Sequence, residues 1–72
     1  MAQGDHLELQ GMVTDVFAGG NFLIQTEQGV EIRARLGGRL RRNRIRVLLG
    51  DQVTVRVSPY DLTHGLITYR HK

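Results

Sequence analysis

The sequence predicts an all-β fold: a small barrel of five strands with one short helical connection between the third and the fourth. Three observations carry that prediction. Apolar and polar residues alternate with period two in successive segments, and the segments are parted by glycine-containing turns. The chain has 72 residues, so a small antiparallel sheet must close on itself to hide its edges. One segment, residues 33–46, breaks the alternation and is crowded with arginine.

Residues 1–5 are small or polar and read as a loose tail. From Leu7, the residues Leu7, Leu9, Gly11 and Val13 share one face, giving a first strand that reaches Phe17. Gly11 within it predicts a bulge or bend. Residues 18–21 form a turn. Phe22 and Ile24 share a face of a second strand that runs to about Glu27, and Gln28-Gly29 turns the chain. Val30, Ile32, Ala34 and Leu36 line the inner face of a third strand, which puts Arg33 and Arg35 outside. Gly37-Gly38 ends it. Residues 39–44 make one or two helical turns with Leu40 inward, and an irregular return follows through Leu49; a full helix over 36–49 fits the apolar spacing only in part. Gly50-Asp51 turns into a fourth strand whose inner face is Val53, Val55 and Val57. Pro59 occupies the second position of a turn over 58–61, where its fixed φ is wanted. His64-Gly65 reads as a further turn, and a fifth strand runs over 66–70 with Ile67 and Tyr69 inward. This element order describes an OB-fold barrel spanning residues 1–72; an open SH3-like barrel is the nearest competitor.

Charge points to a partner. Arg33, Arg35, Arg39, Arg41, Arg42, Arg44 and Arg46 are seven of the ten Lys+Arg, and no carboxylate stands between Glu31 and Asp51. Guanidinium groups are planar forks that match phosphate oxygens. A solvated face or flexible arm would also carry such a run. Leu36, Leu40, Ile45, Val47, Leu48 and Leu49 are threaded through and after it, however, and read as anchors that pin a basic surface to the core. Five of the seven acids precede Arg33, so the molecule has a basic side, and nucleic acid is the leading partner. An acidic protein surface is the competing partner.

Other chemistries find little support. There is no cysteine, no apolar run of membrane-spanning length and no signal-peptide pattern, so a cytoplasmic protein without membrane association is expected. His6, His64 and His71 have no ligand spacing, so no metal and no cofactor are expected. Ser58 and Thr63 lack a triad, and the paired glycines lack the context of a phosphate loop, so no enzyme is expected. Of the four aromatics, Phe17, Phe22 and Tyr69 follow the inner parity of their strands, and only Tyr60, in a turn, is free to stack. A single-strand binder on this fold presents several aromatics. A cold-shock-like RNA chaperone for single-stranded RNA is therefore the alternative reading.

The run Gly38-Arg39-Leu40-Arg41-Arg42-Asn43-Arg44-Ile45-Arg46-Val47-Leu48, then Gly50-Asp51-Gln52-Val53-Thr54-Val55, then Ser58-Pro59-Tyr60-Asp61-Leu62 with Gly65, resembles bacterial translation initiation factor one. The resemblance covers essentially the whole chain, including Gly11 and Val13. It implies an OB-fold of the S1-like kind and binding in the aminoacyl site of the small ribosomal subunit. The implied partners are 16S ribosomal RNA, small-subunit proteins and the other initiation factors, with a monomer off the ribosome and no catalysis. The chain departs from the family pattern. Arg35 stands for a usual His, Arg44 for a common aromatic, Arg56 for an acid, Leu66 for Arg, and Leu23 is apolar where the face is often basic. It reads as a divergent member. Arg39, Arg41, Arg42 and Arg46 are expected at the centre of the RNA surface, with Arg44, Arg35 and Arg70 around them and Tyr60 as a stacking residue. Asn43 is expected to turn the backbone where the helix ends.

Overall fold

The structure is a computed structural model that describes residues 6–43 and 45–71, with Arg39 described by its backbone alone. The expectations placed on the tail at 1–5, on Arg44 and on the Arg39 side chain lie outside the described residues. Strands β1 (Leu7–Phe17), β2 (Asn21–Thr26) and β3 (Glu31–Leu36) lead into a short helix, α1 (Gly38–Arg42), and strands β4 (Gln52–Ser58) and β5 (Asp61–His71) follow. They close a barrel in the order β1-β2-β3-β5-β4. All pairings are antiparallel except β3 with β5. This is the five-stranded OB-fold that the alternation predicts.

The core lies where period two puts it. Val13, Ile24, Ile32, Val53, Val55, Val57 and Ile67 are each at most 1% exposed, and Ala34, Phe22, Leu40 and Val47 complete the buried cluster. Burying one such valine or isoleucine is worth about 1.5–3 kcal/mol. Two glycines permit the strands to close. A Cβ on Gly11 would stand 2.6 Å from the Gln25 carbonyl oxygen, and one on Gly65 would stand 2.7 Å from the Arg56 carbonyl oxygen. Gly65 is therefore not part of a turn with His64. It lies inside a continuous β5, between Val57 on β4 and Ala34 on β3, where only a residue without a side chain fits.

Two bulges overturn the expected parity of two aromatics. The β1–β2 register shifts between Val13 and Asp15, and the β4–β5 register shifts between Thr54 and Val55, opposite Tyr69 and Ile67. Thr14 and Thr68 are the extra residues. Each inserted residue reverses which face its successors take. Phe17 and Tyr69, expected in the core, consequently stand 37% and 59% exposed. Both threonines hydrogen-bond the partner strand at the interruption: Thr14 Oγ1 donates to the Leu23 carbonyl (3.2 Å) and Thr68 Oγ1 to the Thr54 carbonyl (3.4 Å). The bend predicted at Gly11 thus falls at Thr14. Val30 is exposed rather than inward, because it belongs to the turn: its amide donates to Thr26 Oγ1, and its carbonyl accepts from the Thr26 amide.

Candidate nucleic-acid interface

The segment from Gly37 to Asp51 carries most of the basic run and is built on few fixed points. The Gly37 amide donates to the Ile67 carbonyl (2.8 Å), which ties the end of β3 to β5. The first helical bond runs from the Arg41 amide to the Gly37 carbonyl (3.0 Å). Leu40 is buried beneath the helix. The Ile45 amide then reaches back to the Leu40 carbonyl (2.9 Å), a six-to-one closure of the kind that ends helices, and Ile45 packs against the core. Asn43 lies in that closing turn and is exposed. Val47 is the next buried anchor.

Leu48 and Leu49 are not anchors. They are 52% and 65% exposed at the tip of the turn into β4. Asp51 shapes this turn from both ends: its Oδ2 accepts from the Leu48 amide (2.8 Å), and its own amide donates to the Leu48 carbonyl (3.0 Å). Gly50, at φ +88°, donates to the Val13 carbonyl (2.8 Å), and the Val13 amide donates to the Asp51 carbonyl (2.9 Å). These bonds fasten the turn to β1. The two leucines are left outside because the anchoring is done by backbone and carboxylate.

Arg41 and Arg42 project from α1, and Arg46 from the return; all three are exposed. Arg41 and Arg46 flank an apolar groove whose floor is Phe22, Leu36, Leu40, Ile45 and Val47. A second groove, lined by Gly19, Gly20, Arg35, Leu36 and Arg41, brings Arg35 of β3 beside Arg41 of α1. Arg70, near the end of β5, donates from its guanidinium to the Arg46 carbonyl. It thereby holds the return segment against the barrel. Arg35, Arg41, Arg46 and Arg70 are thus brought together, with Arg42 on the same helix.

Tyr60 is not among them. It is 93% exposed in the turn after β4, at the opposite end of that strand from where the basic segment enters it. Seven strand residues separate the two, a span of about 20 Å. Two arginines outside the expected set also stand on the surface. Arg56 lines a groove on the β5 side of α1 with Leu66, and Arg33 lies over the Phe17 ring, 5.2 Å from its centroid. A strand position of outward parity was the available signal for both.

Among the described residues no arginine is within salt-bridge distance of a carboxylate. The one ion-pair contact among the described residues joins His64 Nδ1 to Asp61 Oδ2 (3.3 Å). The Asp61 carboxyl is held below its usual value, first by hydrogen bonds from the Thr63 hydroxyl and amide, with His64 adding less. No group of three His, Asp, Glu or Cys able to hold a metal occurs among the described residues, and no described helix is long and apolar enough to cross a membrane. The described site is a set of guanidinium forks without a described carboxylate partner, fixed to a barrel and suited to an anion with several oxygens.

Known proteins match this chain over its full length. The profile of the family described as translation initiation factor 1A / IF-1 matches residues 2–72. Translation initiation factor IF-1 of Solibacter usitatus is 53% identical over 72 residues, and that of Oenococcus oeni 49%, each alignment covering 100% of both chains. The solution structure of the initiation factor of the same name from the Wolbachia endosymbiont strain TRS of Brugia malayi superposes with a TM-score of 0.78 at 33% identity, over 93% of this chain and 79% of that one. On profile, sequence and fold together, this chain belongs to the translation initiation factor 1A / IF-1 family.

Proposed function

We propose that this chain acts in translation initiation by binding the small ribosomal subunit at its aminoacyl site, through 16S ribosomal RNA, and that it assists the other initiation factors there. The observation that carries the reading is the exposed trio Arg41, Arg42 and Arg46, raised on a connection that Leu40, Ile45 and Val47 anchor to the core. Forks presented from a fixed base lose less freedom on binding than forks on a loose arm. Arg35 extends the surface along β3 and Arg70 braces it. Arg39 and Arg44 belong to the same contact, and Tyr60 makes a separate one at the far end of β4. Folded RNA offers closely spaced phosphates to such a set.

Binding to purified small subunits, to whole ribosomes and to free single-stranded RNA tests the proposal. Small subunits are expected to bind best, with log affinity falling against log salt at a slope of about −3 to −4 for four or five neutralised phosphates. Absence of small-subunit binding would overturn the proposal. Equal binding to any single strand would favour an RNA chaperone instead.

A further inference from the structure

The pairing of Arg33 with Phe17 sets this arginine apart from the basic run. Arg33 stands on the outer face of β3, in register with Leu23 of β2, which in turn faces Asp15 of β1. Asp15 lies along that row, yet no ion pair forms between the two. Asp15 Oδ1 instead accepts from the Val16 amide (2.9 Å). The guanidinium goes to the exposed Phe17 ring, which the Thr14 bulge has turned to the outer face. The guanidinium carbon thereby lies over the ring, 5.2 Å from its centroid, and both residues are exposed.

We propose that the Phe17–Arg33 pair is a stacking platform for one unpaired nucleobase of RNA, distinct from the basic connection. Arginine planes and aromatic rings are the surfaces on which unpaired bases stack, and a guanidinium already seated on a ring needs little ordering when a base arrives. His64 flanks the platform. It is in register with Arg33 on β5, and its Nδ1 lies 3.0 Å from Thr63 Oγ1 and 3.3 Å from Asp61 Oδ2, so the imidazole is oriented before any ligand binds. Arg35 follows Arg33 on the same strand face and shares a groove with Arg41. Gly19 and Gly20 carry no side chain to block that groove. A strand whose phosphates meet Arg41 can therefore run past Arg35 and lay a base on Arg33.

The inference rests on the reading that the chain binds RNA, and one experiment separates the two. A short single-stranded RNA carrying one 2-aminopurine is titrated with the full chain, and small-subunit binding is measured in parallel. Stacking should quench the probe. Arg33→Lys keeps the charge but removes the plane; it is expected to abolish the quench and weaken oligonucleotide binding about fivefold or more. Phe17→Ala, shown folded by its thermal transition, should also lose the quench. Arg41→Ala with Arg46→Ala should weaken binding yet keep the quench at saturation. Quenching and affinity unchanged in Arg33→Lys would overturn the platform. Small-subunit binding without any quench of the oligonucleotide would overturn the platform and leave the ribosomal reading standing. Quench without small-subunit binding would do the reverse.

Discussion

Two arginines of the barrel wall, Arg33 and Arg70, differ from those of the connection in what they already hold. On the wall, Arg33 lies over Phe17 and Arg70 donates to a backbone carbonyl. On the connection, Arg41, Arg42 and Arg46 are exposed, and among the described residues no carboxylate is within salt-bridge distance of them. A run of like charges says only that an anion is wanted somewhere. The fold decides which forks are free to meet it and which brace the ones that do. Stability and binding should accordingly separate: substitutions of buried wall residues lower the first, substitutions on the connection the second.

The largest effect is expected in the wall. Val55→Ala, at a fully buried position, should cost about 1–3 kcal/mol. Gly65→Ala should cost a similar amount, because its Cβ would meet the Arg56 carbonyl and Val57 Cγ1, both at 2.7 Å. A chain of this length holds about 4–11 kcal/mol in all, so chemical denaturation reads either change easily. Amide exchange at Val55 as fast as at the exposed turns would contradict the wall assignment.

Arg70→Ala falls between the two regions. It removes the guanidinium that holds the Arg46 carbonyl, so a small stability loss, about 1 kcal/mol, should accompany weaker RNA binding. Arg70→Lys, which keeps a cation and a donor, should recover the stability. If Arg70→Ala weakened binding with no change in unfolding or in exchange at Arg46, the bracing role would be wrong and a direct phosphate contact would replace it.

Smaller effects are expected at the two leucines that stand among wall arginines. Leu66 is in register with both Arg35 and Arg56, and Leu23 with Arg33. Leu66→Arg with Leu23→Arg should steepen the salt slope by about 0.7–0.9 for each new phosphate contact. An unchanged slope with impaired cooperation with other factors would assign the leucines to a protein contact.

The smallest effect concerns Asp61. Its folded pKa is depressed, so whatever stability its hydrogen bonds supply is present above the ordinary carboxylate range and is lost as pH falls through the folded value. A carboxyl titration by NMR should place its midpoint below the usual value. Thr63→Val, which deletes the 2.5 Å hydroxyl bond to Asp61 Oδ1, should raise it.

How much of this was legible follows from what each residue depends on. Val53, Val55 and Val57 alternate against polar neighbours without interruption, so their burial could be read from the sequence by parity alone. Phe17 and Tyr69 could not be placed that way, because a single inserted residue reverses the face and nothing in the local composition announces it. Leu48 and Leu49 carry the composition of anchors, yet the turn is fastened by Asp51 and by bonds to Val13, which hydrophobicity does not report. The basic run was visible as charge. That Arg35, Arg41, Arg46 and Arg70 converge while Tyr60 lies at the other end of β4 depends on strand order. His64-Gly65 reads as a turn, but glycine serves equally where two backbones approach closely.

The most direct test of the central claim is Arg41→Ala with Arg46→Ala, measured for unfolding and for small-subunit binding across a salt series. Surface substitutions of this kind should change stability by no more than about 0.5 kcal/mol. Binding should weaken at low salt, and the slope should shallow by about 1.4–1.8 for the two lost phosphate contacts. A folded double variant that binds as tightly as the parent chain, with the same slope, would contradict the account and leave the basic connection as a solvated surface.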